Sequence, residues 1–155
     1  MDPQLDSNAL IELLDGDPDF VAFAQANRAA GLTYNVAVRA EFLANGLGTQ
    51  ADLKALAQTW GATLTGDITE AEIEAVADRL RDAFHGDSLG RVLHLPDARV
   101  LATGLLKHEA VATHELRMFK RARDLGLAAV FVGSGGAAAR AVAYVRQALT
   151  IPSGA

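Results

Sequence analysis

Cysteine is absent from the chain, which excludes a disulfide framework, a thiolate zinc site and a cysteine nucleophile. Aromatic residues are scarce, at 6% with a single tryptophan, so any core must be built mainly from aliphatic side chains. No apolar run approaches the roughly 20 residues needed to cross a bilayer. The opening Met1-Asp2-Pro3-Gln4 has neither the basic nor the apolar region of a secretory signal. A cytoplasmic location without membrane association is therefore expected. Positive charge is also short, with 14 Lys and Arg against 19 Asp and Glu, a net charge of −5. Passive coating of nucleic acid is thereby disfavoured, since proteins that do so are usually basic. An enzyme can still act on RNA where cations offset an acidic site and a local basic patch holds the strand.

What is present suits a folded α/β unit. Half of the 155 residues are apolar and 21% are charged, enough for a real core and unlike a disordered chain. Residues 1–155 are expected to form one domain. Asn8 to Leu14 has a helical apolar pattern, and Asp17-Pro18 places an N-cap before proline at the first helical position, opening a helix that carries Phe20, Val21, Phe23 and Ala24 to a stop at Gly31. Leu32 to Val36 reads as a strand, and Ala37 to Asn45 as a helix closed by Gly46. Thr49 starts another helix with Leu53, Leu56, Ala57 and Trp60 inward. Thr69 and Glu72 form a capping-box pattern ahead of the stripe Ile73, Val76, Ala77, Leu80 and Phe84. His85 to Pro96 reads largely as loop.

The last third is the most regular, with a helix from about Asp97 to Lys107, a strand Ala110 to Thr113, a helix Glu115 to Leu125 and a strand Ala128 to Val132. This alternation implies parallel strands joined by crossover helices, hence a three-layer α/β/α arrangement around four to five short strands. A last helix, Ala137 to Leu149, covers the sheet or a dimer partner.

Ligands in such sheets collect at the carboxyl ends of the strands. Asp6, Asp97 and Glu115 fall just after strands or loops at the starts of helices, and Glu41 lies inside a short helix after the second strand, so the four carboxylates are expected to converge on one rim. Acids held together repel by roughly 4 kcal/mol per close pair at an effective dielectric near 20. A hard divalent cation resolves that conflict and can assist phosphodiester hydrolysis. Asp6, Asp97 and Glu115 also have local explanations, as a helix cap or partners of a helix dipole, whereas Glu41 sits on a largely apolar segment and has none.

Four segments carry a resemblance to a known family. Leu5-Asp6-Ser7-Asn8 running into Ala9-Leu10-Ile11, Glu41 within Val36-Ala37-Val38-Arg39-Ala40-Glu41-Phe42-Leu43, Leu95-Pro96-Asp97-Ala98 continuing to Ala102-Thr103, and Ala112-Thr113-His114-Glu115 followed by Phe119 occur in order. Together they resemble the PIN-domain nucleases, especially the VapC-like toxins of bacterial toxin–antitoxin pairs. The similarity spans about residues 4 to 132, with no motif between 47 and 94, and leaves 137–155 beyond the minimal fold. It implies a PIN-like fold and a Mg²⁺- or Mn²⁺-dependent endoribonuclease that leaves a 5′-phosphate and a 3′-hydroxyl. Asp6, Glu41, Asp97 and Glu115 would then be the catalytic, metal-binding acids, with Asn8 and Thr113 supporting them by hydrogen bonds. An antitoxin or immunity protein would be the partner, and a homodimer is a further expectation. Two departures stand out: Glu115 replaces the usual Asp, and the first strand is very short, as in a domain cut from a longer chain. The alternative is a PIN-like binding module that no longer cleaves.

Other signals are weaker. Arg117, Lys120, Arg121 and Arg123 form the densest basic stretch, so Arg117, Lys120 and Arg121 are candidate substrate contacts on what is otherwise a solvated helix face. Gly133-Ser134-Gly135-Gly136 precedes a helix but lacks the lysine of a phosphate loop, and reads as a turn. His85, His94, His108 and His114 are scattered, with His114 beside the acids and otherwise a surface residue.

Overall fold

A computed structural model describes residues 3–84 and 93–150, the side chains of 148–150 excepted. In chain order the elements are β1 (Pro3–Leu5), α1 (Ser7–Asp15), α2 (Pro18–Asn27), β2 (Leu32–Tyr34), α3 (Val36–Ala44), α4 (Gln50–Trp60) and β3 (Ala62–Leu64). They continue with α5 (Glu70–Ala83), α6 (Leu95–Lys107), β4 (Ala110–Thr113), α7 (Leu116–Asp124), β5 (Ala129–Phe131) and α8 (Gly135–Thr150). The strands form one sheet in the order β3-β2-β1-β4-β5, every neighbouring pair parallel. The register sets Gln4 beside Thr33 on one side and Val111 on the other.

Strands of three or four residues have little stability of their own. Helix packing supplies it: Leu5, Leu10, Leu32, Phe42, Leu56, Ile73, Leu101 and Val111 are each fully buried in one continuous core. Each such leucine contributes about 1.5–3 kcal/mol relative to exposure. Local signals then set the helix ends. Asp17 caps α2 through Phe20 N–H, and Thr49–Asp52 and Thr69–Glu72 form reciprocal capping boxes on α4 and α5. The Tyr144 hydroxyl donates to Asp124, and the Lys120 ammonium lies 5.3 Å from the Tyr144 ring centre, which clasps α8 to α7.

Several expectations change. β2 stops at Tyr34 rather than Val36, because Asn35 leaves the strand to cap α3. β3 occurs where only helices were expected; it is an edge strand with Thr63 and Leu64 exposed, so no alternating pattern marks it. Ala57 is exposed rather than inward, and Trp60 is half-buried. α6 begins at Leu95, with Pro96 in its first turn, and α8 begins at Gly135. The expected loop from His85 lies, over residues 85–92, outside the described residues, as does His85 itself.

Gly48 shows how tightly α3 is closed. A Cβ there would lie 1.9 Å from the ring of Phe42, which is fully buried. Gly48→Ala is therefore expected to destabilise the protein by about 1–3 kcal/mol through overpacking, read as a lower urea midpoint with an unchanged m-value.

Candidate active site

The five strands among the described residues all run the same way, so their carboxyl ends share one rim. β2 and β3 lie on one side of β1, and β4 and β5 on the other, so the winding reverses beside β1. The crevice outside such a reversal is where open α/β sheets bind ligands.

Asp6 is the first residue beyond β1 and caps α1, its Oδ1 accepting from Ala9 N–H at 2.8 Å. One carboxylate oxygen thus serves the helix, as the local explanation of this residue anticipates. Burial pushes its pKa up to about 6, against an ordinary 3.8. The Ala9 hydrogen bond and His114 pull it down, while Glu115 and Asp97 push it further up. Asp97 lies in the first turn of α6, half-buried, and is raised first by burial and then by Glu115; Arg121, His94 and Arg117 oppose the shift. Glu115 is the exposed N-cap of α7, and its backbone N–H donates to Thr113 Oγ1 at 3.0 Å. Thr113 thereby shapes the turn that presents Glu115.

These three acids feel one another's charge. Glu41, half-buried on α3, joins Asp6, Asn8 and Asp97 in lining a narrow cleft of about 50 Å³. Asn8 is exposed at its mouth. The basic residues of α7 divide. Arg117 is exposed, while Arg121 is buried rather than solvated, its guanidinium 5.9 Å from the Phe84 ring centre. Both lower the pKa of Asp97, so both stand near the acids. Lys120 is turned to Tyr144 instead.

Two residues that sequence reasoning passed over hold the cleft in shape. Gln4 on β1 and Asn35 at the start of α3 are both fully buried. Asn35 Oδ1 accepts from Val38 N–H at 2.7 Å, and its Nδ2 donates to Gln4 Oε1 at 3.2 Å. Gln4 Nε2 donates to the Val100 carbonyl at 2.9 Å. The chain of bonds therefore ties together β1, α3 and α6, which lead to or carry Asp6, Glu41 and Asp97. An asparagine ahead of an apolar helical run is a legible N-cap signal; Gln4 offers no such sign.

The donor chemistry suits a hard cation, being carboxylate oxygen with no sulfur and a charge conflict that a cation would relieve. Among the described residues, no three acidic or histidine side chains already form a metal-holding group. Mg²⁺ does not require one, because it keeps several waters and is usually bound by one or two carboxylates together with substrate phosphates.

No family model and no curated protein sequence matches the chain. Solved structures do. The chain is similar to VapBC2 from Rickettsia felis bound to a DNA fragment from its promoter, with a TM-score of 0.66 and 14% identity over 86% of this chain and 100% of that one. It is also similar to VapBC-1 from nontypeable Haemophilus influenzae, at 0.58 and 19% over 84% and 98%. A toxin–antitoxin complex from Klebsiella pneumoniae matches at 0.54 and 21% over 77% and 90%. At these identities the likeness is one of fold, and the fold is the PIN-like one that the sequence resembles.

Two outcomes follow for stability. Asn35→Ala removes a helix cap and strands the Gln4 amide, so a loss on the order of 2–3 kcal/mol is expected in chemical denaturation. Asp6→Asn acts the other way. Between pH 3.8 and about 6 the unfolded chain ionises Asp6 while the folded chain keeps it protonated, so wild-type stability falls as pH rises through that window and stays penalised above it. Asparagine still caps α1 but carries no charge. The variant should gain on the order of 1–3 kcal/mol at neutral pH, with the gain vanishing towards pH 3.8. Equal melting temperatures at neutral pH would contradict the assignment.

Proposed function

We propose that the chain is a divalent-metal-dependent endoribonuclease and that a protein partner, an antitoxin or immunity protein, holds its activity in check. The observation that carries this reading is that Asp6 and Asp97, both raised first by burial and then by neighbouring carboxylates, sit at the carboxyl-end crevice of a PIN-like sheet, where both line one cleft with Glu41. A fold by itself does not specify chemistry, but half-buried acids with raised pKa values in a cleft mark a functional-site candidate.

In this reading Asp6 and Asp97 hold the cation, with Glu41 and Glu115 on either side of them. Mg²⁺ or Mn²⁺, when bound, supplies positive charge to the reacting phosphodiester and acidifies an attacking water. The residues of the chain do the rest. Asp6 is held by its bond to Ala9, so its free oxygen is oriented without cost at the moment of reaction. Thr113 orients the turn before α7. Arg117 and Arg121 place positive charge next to Asp97, which offsets part of the acidic charge that an RNA phosphate would meet there. The partner reading draws on the solved relatives, each of which is a toxin–antitoxin or VapBC complex.

Asp97→Ala should lower Mn²⁺-supported cleavage of a structured RNA by about 100-fold or more, since even supporting residues of metal sites cost 10–100-fold. Full activity in a folded Asp97→Ala protein would end the proposal, and an inert wild type that still captures its partner would favour the non-cleaving module. Independently of turnover, Mn²⁺ at a hundredfold excess over its Kd should stabilise the wild type by about 2–3 kcal/mol. The Asp97→Ala variant should lose most of that gain in a thermal melt.

A further inference from the structure

We propose that the cavity beside the acid cleft is a nucleobase pocket that selects guanine, an inference that rests on the RNA-cleaving reading above. The cavity, about 250 Å³, opens between the start of α2 and the turn that leads into α8. It is smaller than the roughly 300–1,000 Å³ of drug-sized ligand sites, a size for one base rather than two. The rings of Phe20, His114 and Phe131 form part of its wall. Phe20 meets His114 edge-on, with centroids 5.7 Å apart and planes at 81°, which fixes the imidazole while leaving it exposed. Phe131 is held in the same manner by Phe119, at 6.0 Å and 89°. Phe20 is itself almost fully buried, so the ring surface open to a ligand is that of exposed His114 and half-buried Phe131, the kind of platform on which an unstacked base lies.

His114 joins the cavity to the reacting centre. It is the chain neighbour of Glu115, and its charge acts on Asp6. His114 is thus the side chain that lines this cavity and also acts on an acid of the cleft, so a strand with one phosphate at the acids would carry a neighbouring base towards it.

The polar wall decides which base. It carries Glu12, Asp17 and Asp19, and no Lys or Arg is among the described residues that line it. A phosphate would be repelled, so the turn of Gly133 to Gly136 does not serve as a phosphate loop here. Asp17 is already engaged in capping α2, accepting from Phe20 N–H at 3.1 Å. Asp19 is exposed in the first turn of α2, with the Ser134 hydroxyl in long contact with its Oδ2 at 3.5 Å, so both of its oxygens stay open to a ligand. A carboxylate only accepts, through two oxygens. Guanine is the nucleobase whose Watson–Crick edge presents two adjacent donors, N1–H and the N2 amino group. Adenine, cytosine and uracil each set an acceptor next to their donor, and a carboxylate repels it.

The test uses the full chain and uncharged nucleosides, so that the acids of the cleft do not repel the probe. Guanosine, adenosine, cytidine and uridine are titrated separately while the amide resonances of Phe20, His114 and Ser134 are followed by NMR. Guanosine should shift them saturably and bind about tenfold more tightly than the other three, the scale of one hydrogen bond to a charged group. Asp19→Asn should abolish the preference, whereas His114→Ala should weaken guanosine and His114→Phe should restore it. Equal binding of all four nucleosides, or a guanosine preference that survives Asp19→Asn, overturns the pocket. If RNA is cleaved but guanosine leaves these resonances unmoved, only this inference fails. If guanosine binds selectively and no RNA is cut, the pocket stands and the nuclease reading falls.

Discussion

The cleft depends on two side-chain amides that never reach water. Gln4 and Asn35 share hydrogen bonds in the middle of the molecule and reach out to the Val38 N–H and the Val100 carbonyl. Each bond is modest in net terms, but leaving one of its groups unpaired in the interior costs about 1–3 kcal/mol. Sliding α3 or α6 against β1 would break the set together. The elements that bear Glu41 and Asp97 are therefore held in one position relative to Asp6, which follows Gln4 by two residues. Such rigidity is what a metal-binding or catalytic constellation needs, since its acids must be kept close against their own repulsion.

That repulsion is the second organising fact. Asp6 and Asp97 are both raised, with burial the largest cause and neighbouring carboxylates adding to it. A fold selected only for stability would place these groups in water or beside more cations. Arg117, Arg121 and His114 relieve the conflict in part. The remaining stress is of the kind proteins accept at sites that bind something, where stability is given up for activity.

Much of the fold could be read before any coordinates. The strand at Ala110–Thr113 falls where it was expected, as do the caps at Asp17, Thr49 and Thr69, because these features are local: an apolar run bounded by polar residues, or a side chain bonding its own helix. β3 was not legible, since three residues with one buried side chain carry no periodic signal and become a strand only by pairing with β2. Val36 was misread as strand for the same reason in reverse. Its β-branched side chain favours a strand, but the bond donated by Val38 N–H to Asn35 Oδ1 caps a helix and overrides it. Among the site residues, Asp6, Asp97 and Glu115 stood out because acids after strands and at helix starts are conspicuous. The burial of Arg121 was hidden, since its guanidinium packs against Phe84 far away in the chain.

The amino-acid sequence by itself determined the parallel α/β order, the helix boundaries set by caps and glycines, the aliphatic core and the set of acids that follow strands. The caps and helix ends arise from contacts among residues a few positions apart, while the α/β order and the apolar set are visible as a pattern along the chain before any of their long-range contacts are known. Only the tertiary structure decided that Gln4 and Asn35 lock β1, α3 and α6 together, that Asp6, Asp97 and Glu115 press on one another, and that Phe20, His114 and Phe131 wall a cavity beside them. Those features need groups separated by tens of residues to meet, and that meeting is fixed by how the whole core packs.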